Sequence, residues 1–216
     1  MVNMTDFKND VKTDSPSKVI FARQKELMAK YEGIEERNGL LETHDVPVDI
    51  DSYKGQARLK NFAWRVTEEL TEALEPVYAN NFTLAPNSED YIHTIEEYID
   101  AVHFMAELTI LSGLDDQPIF DISPKERVEI NNPFYLVINT MLVIMNLGLA
   151  MNCLKNKPWK QTHVTTDVEK YSQYIVNAGK VLTLILRDYF GLQGDKLANC
   201  YLNKADVNKF RQESGY

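Results

Sequence analysis

Along most of the chain apolar residues recur three and four positions apart, and the alternation that marks a half-buried strand is scarce. The pattern predicts an all-α fold, a helical bundle. Ser15-Pro16 opens a first helix running to about Glu32, since serine caps free N–H groups and proline suits the first helical position. A second helix spans about Gln56 to Glu75 and is expected to stop at Pro76. A third runs from Ser88 to about Ser112, and later ones from Ser123 to Leu154, Thr166 to Phe190 and Asp195 to the end. Ser123-Pro124-Lys125-Glu126 and Thr166-Asp167-Val168-Glu169 both read as capping boxes. Between Gly33 and Gly55 the periodicity lapses into a loop pattern with Asn38-Gly39, Pro47 and several acids.

Residues 134–154, FYLVINTMLVIMNLGLAMNCL, are apolar all round and followed by Lys155, Lys157 and Lys160. Such a helix is either a membrane span or is buried in a bundle or dimer core. Asn139, Asn146 and Asn152 would each be costly among lipid tails, which favours the core and no membrane. Residues 1–15 are polar, lack the apolar stretch of a signal peptide and read as a flexible leader. The remainder, 16–216, is expected to form one domain, with an inserted helical segment at about 113–180.

Composition narrows the function. The 216 residues carry a formal charge of -9, which argues against nucleic acid as a partner, because such binding relies on basic patches that release counterions. The two cysteines, Cys153 and Cys200, form no disulfide framework and fit a reducing, cytoplasmic setting.

Against that acidic background two helices place acids on inward faces. In the second, Leu59, Phe62, Ala63, Val66, Leu70, Ala73, Leu74 and Val77 form one apolar stripe, with Glu69 beside it and Glu72 one step further round. In the third, Glu97 and Asp100 align with Phe104, Leu108 and Leu111, while Glu96, His103 and Glu107 form a narrower polar strip. The bland reading of such acids is a solvated face. Buried together, ionised carboxylates need cations: a pair about 4 Å apart repels by roughly 4 kcal/mol at an effective dielectric of 20. Oxygen-only ligands select a hard ion, Mg²⁺ with Mn²⁺ as a substitute, of the kind that binds polyphosphates. His103 is expected beside such a site rather than as a ligand.

The last helix carries Tyr201, Lys204, Asn208 and Arg211 on one face, where lysine and arginine suit phosphate oxygens and an amide suits a sugar or base edge. Taken together, E69-L-T-E72, E97-Y-I-D100-A-V-H103-F104 and the terminal Y201-L-N-K204-A-D-V-N208-K-F-R211-Q212-E-S-G215-Y216 resemble the dimeric all-α dUTPase and phage dCTPase family, within the superfamily of MazG-type pyrophosphohydrolases. The similarity is clear over 56–112 and about 181–216, and looser over the first helix.

The resemblance implies an enzyme that hydrolyses dUTP or dCTP to the monophosphate and pyrophosphate, controlling a deoxynucleotide pool, with diphosphates as further substrates. It implies Mg²⁺ held by Glu69, Glu72, Glu97 and Asp100, with Glu69 also orienting or deprotonating water. Gln24, Lys204, Asn208, Arg211 and Tyr216 would hold the nucleotide, and the protein would be a homodimer in the cytoplasm, a phage origin fitting that picture. Met28 stands where the family's first helix often carries asparagine. Lys157, Trp159 and Lys160 form a cationic cluster around a ring, a secondary contact for base or phosphates or simply a helix end, with Tyr201 a further secondary candidate. Alternatives are a pyrophosphohydrolase for another or modified deoxynucleotide, and a non-catalytic helical nucleotide-binding or scaffold protein.

Overall fold

The computed structural model of the chain describes residues 8–39, 41–122, 130, 132–157 and 159–214. Among the described residues there are six helices and no strand: α1 (Pro16–Arg37), α2 (Tyr53–Ala79), α3 (Glu89–Leu111), α4 (Pro133–Cys153), α5 (Val168–Asp188) and α6 (Asp195–Glu213). Two helical hairpins, α2 with α3 and α4 with α5, make the most extensive packing. Helix α3 also touches α1, α5 and α6. That position explains its composition: Ile99, Ala101, Val102, Met105, Ala106, Leu108 and Leu111 are all fully buried, which a helix facing one neighbour would not require.

Several boundaries move for physical reasons. Helix α2 passes through Pro76 and ends at Ala79. Proline removes one hydrogen bond near the helix end, whereas Val77 beyond it is fully buried, a gain of roughly 1.5–3 kcal/mol that offsets the loss. Helix α1 continues past Glu32 to Arg37, so the expected loop starts later and Glu35 becomes helical. Helix α5 is capped by Asp167, which accepts from the Lys170 N–H at 3.0 Å. Thr166 is instead buried, with its hydroxyl accepting from Gln56 Nε2 at 3.2 Å. The capping box at Ser123 lies outside the described residues; α4 starts later, with Asn132 as cap and Pro133 at its first position. Ahead of α1, residues 9–13 run beside α6: Asn199 Oδ1 accepts from the Val11 N–H at 2.8 Å and Asp195 Oδ1 from the Thr13 N–H at 2.6 Å.

The entry into α2 depends on a close approach. Gly55 donates its N–H to Ser52 Oγ at 2.9 Å, and a Cβ there would lie 2.1 Å from the Asp49 carbonyl oxygen. Because that obstacle is backbone, Gly55→Ala is expected to destabilise the protein by about 1–3 kcal/mol, read as a lowered midpoint in a thermal melt. An unchanged midpoint would show that the turn yields freely.

Helix α4 packs on α5 and α2 with one side only. Phe134, Ile138, Met141, Met145 and Leu149 on its outer side are exposed, as is Trp64 of α2.

Candidate active site

The α2/α3 hairpin brings Glu69, Glu97 and Asp100 together, one carboxylate oxygen of each lying within 4.8 Å of the others. At that distance each ionised pair repels by about 3 kcal/mol at an effective dielectric of 20. Burial is the main cause that pushes the Glu69 carboxyl up to about 8, reinforced by a hydrogen bond with Glu97 and by the charges of Asp100, Glu97 and Glu72. Burial likewise raises Asp100 to about 6, against the opposing pull of Lys204. Lys204, reaching in from α6, places Nζ 2.7 Å from Asp100 Oδ2 and is itself buried. His93 Nδ1 sits 3.1 Å from Glu97 Oε1. One lysine cannot neutralise three crowded carboxylates, and the donor set is all oxygen, so these residues fit a divalent ion. Glu72, one turn beyond Glu69, is exposed and stands outside the three-carboxylate group.

A cavity of about 280 Å³ opens from this cluster and runs between α1, α2, α3 and α6. Glu69 and Asp100 line one end. Phe62 and Phe104, their ring centres 6.3 Å apart, give the other end aromatic walls with Leu27 of α1, and Tyr31 lies between the ends, near both Glu107 and Asp100. Glu69 and Phe62 are seven residues apart on one helix, so the two ends are separated by roughly 10 Å. Between them lies Arg65, whose guanidinium carbon rests 5.3 Å from the Phe62 ring centre and 5.6 Å from that of Phe104. Its nearest acid is Glu35, at 3.9 Å.

The walls of the aromatic end hold a buried polar network. Gln24 donates from Nε2 to Glu107 Oε2 at 2.8 Å. Its Oε1 accepts from the Tyr201 hydroxyl at 2.6 Å and pairs with His103 Nδ1 at 3.2 Å. The His103 and Tyr201 rings stack with centres 4.1 Å apart. Burial pushes Glu107 up to about 7, and burial together with the charges of Lys204 and Arg23 drives His103 down to about 3, so the imidazole is neutral. His103 Nε2 is buried without a hydrogen-bond partner.

The structure therefore gathers Gln24, Glu69, Asp100 and Asn208 around one cavity, with Glu97 and Lys204 touching its acidic end. Arg211 is half-buried further along α6, and Tyr216 lies outside the described residues. Tyr201 is fully buried and reaches the site through Gln24. Lys157, Trp159 and Lys160 do not line this cavity; Trp159 and Lys160 are exposed, and Lys157 lies near Lys60. Met28 faces a separate groove with Lys25, Glu32 and Arg58, while Leu27 lines the cavity. Arg65 and Tyr31 were not singled out in the sequence, and the only signal for them is their register: Arg65 is one turn before Glu69 and Tyr31 seven residues after Gln24.

Compared with known families, the chain matches the one described as dUTPase over residues 18–216, a stretch that includes the segment 113–180. Searches of curated proteins and of solved structures return no match. The family match takes in nearly the whole chain, every helix but the first two residues of α1, and each residue that lines the cavity. The chain thus belongs to the all-α dUTPase/dCTP pyrophosphatase family, whose members are nucleoside triphosphate pyrophosphohydrolases.

Proposed function

We propose that the protein is a Mg²⁺-dependent diphosphatase of pyrimidine deoxynucleoside triphosphates, converting dUTP or dCTP to the monophosphate and pyrophosphate. The observation that carries this reading is the single cavity joining an acidic end, at Glu69 and Asp100, to an aromatic end lined with amide and imidazole groups. An elongated ligand with phosphates at one end and a small ring at the other is complementary to it. A divalent ion bound by Glu69, Glu97 and Asp100, with Glu72 at the edge, would neutralise the carboxylates and the phosphates and lower the proton affinity of a bound water.

The chain's own residues then do the following. Glu69, ionised once a divalent ion neutralises the cluster, orients a water for in-line attack on the β-phosphorus and takes its proton. The new bond joins the water oxygen to the β-phosphorus, and the bond from that phosphorus to the α–β bridging oxygen breaks. The products are the monophosphate and pyrophosphate. Lys204 keeps Asp100 oriented through their 2.7 Å contact, Asn208 of the same helix lines the cavity where the nucleotide would lie, and Arg211, one turn on, would meet its phosphates. Gln24 faces the base. Diphosphates fit the same cleavage.

The test is competition among dUTP, dCTP, dTTP and the purine triphosphates. A kcat/KM at least tenfold higher for dUTP or dCTP than for any purine triphosphate is expected, because unpaired buried polar groups penalise the wrong base. Equal values for purines would overturn the pyrimidine assignment, and binding without turnover would leave a nucleotide-binding module.

The same reading includes a cytoplasmic homodimer built on α4. Its outer residues Phe134, Ile138, Met141 and Met145 fall at intervals of four, three and four, the spacing of a helix seam. None of its 21 residues is charged. It is long and apolar enough to cross a bilayer, but it carries Asn139, Asn146 and Asn152 and packs one side against α5 and α2, and the free thiols Cys153 and Cys200 suit a reducing compartment. Ile138→Glu with Met145→Glu is expected to convert a dimer to a monomer in sedimentation velocity with the helical content kept. A native protein that needs detergent for solubility, or a variant that stays dimeric, would contradict it.

A further inference from the structure

We infer that Glu107 is a positioning residue that sets which hydrogen-bonding edge the aromatic end of the cavity can read. This rests on the reading above that the base enters at that end.

Gln24 is 2% exposed, so the donors and acceptors around it must pair with one another. Glu107 Oε2 accepts from Gln24 Nε2 at 2.8 Å, which fixes the amide so that Oε1 faces the other way. That oxygen meets the Tyr201 hydroxyl at 2.6 Å and His103 Nδ1 at 3.2 Å, so both groups donate to it and its two lone pairs are filled. His103 then carries its proton on Nδ1, leaving Nε2 as a bare acceptor, and Nε2 is the buried atom with no partner. Beyond their mutual bond Gln24 keeps a second amide N–H and ionised Glu107 a second oxygen; with the unpartnered Nε2 of His103, these groups belong to residues that line the cavity. A donor beside acceptors is complementary to an edge that presents an acceptor beside a donor. The carbonyl and N–H of an imide have that form, and so do the ring nitrogen and amino group of an aminopyrimidine. Glu107 lies seven residues from Asp100 and touches none of the three clustered carboxylates, so its effect should fall on base recognition alone.

The test compares Glu107→Gln with the exchanged pair Gln24→Glu/Glu107→Gln. A glutamine at 107 can turn either face to Gln24, so the amide and the imidazole lose their single arrangement. KM for the preferred pyrimidine triphosphate is expected to rise about tenfold or more with kcat held within about threefold. In the exchanged pair the amide at 107 donates to the carboxylate at 24, which still accepts from Tyr201 and His103, so the melting temperature recovers while donor and acceptor have traded places and KM stays high. The dissociation constants of dUMP and dCMP, measured by calorimetry, follow the same pattern and report on Glu107 even for a chain that hydrolyses nothing. An unchanged KM and affinity in Glu107→Gln, or their recovery together with the melting temperature in the exchanged pair, would overturn the positioning role and leave Glu107 as a structural group.

Discussion

Replacing Glu69 with glutamine is expected to abolish most turnover while making the metal-free protein more stable, not less. The loss follows from its proposed place as the group that receives a proton from water, and removal of a general base typically lowers kcat by about 10²–10⁴-fold. The gain follows from the crowding at the cluster. Burial and the neighbouring acids already raise Glu69 to about 8, which means its ionised form is disfavoured where it stands. A neutral amide of the same shape removes that repulsion from Glu97 and Asp100, whose oxygens lie within 4.8 Å. The melting temperature of the metal-free variant at pH 8 should therefore rise by roughly 2–4 °C, as about 1 kcal/mol does in a chain of this length. Glu68, the exposed neighbour on the same helix, provides the control, and its glutamine variant should alter neither quantity. Glu72→Gln should show a smaller kcat loss than Glu69→Gln, because Glu72 stands outside the close cluster. A destabilised but active Glu69→Gln would mean that the carboxylate serves the fold alone.

The second large effect is a dependence of stability on pH that a divalent ion reverses. A carboxyl whose affinity for protons is higher when folded contributes stability below its unfolded value and loses it as the pH climbs through the folded value. Glu69 at about 8, Glu107 at about 7 and Asp100 at about 6 all act in that sense. His103, held down to about 3, acts in the opposite sense and gains stability for the fold as the pH rises to its unfolded value of 6.5. Lys60, lowered to about 8 by burial and by Lys157, acts in that opposite sense above pH 8. Only between pH 6.5 and 8 do the acids stand unopposed. Metal-free protein should lose stability across that window, by about 1 kcal/mol once solvent screening of the half-exposed Glu69 is allowed for, or roughly 2–4 °C. Added Mg²⁺ binds the ionised cluster and stabilises by mass action, so its effect on the melting temperature should be larger at pH 8 than at pH 6.5 and should vanish in Glu69→Gln. An equal Mg²⁺ effect in that variant would place the ion elsewhere.

The helices and the inward acids were readable along the chain because both rest on periodicity. Val66, Leu70 and Ala73 define the buried stripe of α2, and Glu69 beside them had to share its interior edge. The Lys204–Asp100 contact was not readable, since spacing along α6 says which residues share a face but not which helix that face meets. Glu107 shows the same limit more sharply. Its place on a narrow polar strip between two apolar stripes suits a ribbon facing water as well as a wall facing a cavity, and only α1 and α6 closing over α3 decide for the wall. Pro76 misled for a different reason: local chemistry argues for a helix end, and the burial of Val77 overrides it. For α4, composition demanded a cover on every side, while the fold of one chain supplies it on one.

The three-carboxylate cavity is proposed to cleave a pyrimidine deoxynucleotide between its α- and β-phosphates. The most direct measurement is the release of pyrophosphate and monophosphate from dUTP and from dCTP by the wild-type protein, in Mg²⁺ and again in EDTA. Equal molar amounts of the two products from at least one substrate, present in Mg²⁺ and absent in EDTA, are predicted. Release of inorganic phosphate in place of pyrophosphate, turnover unaffected by EDTA, or no turnover of either nucleotide by folded protein would contradict it.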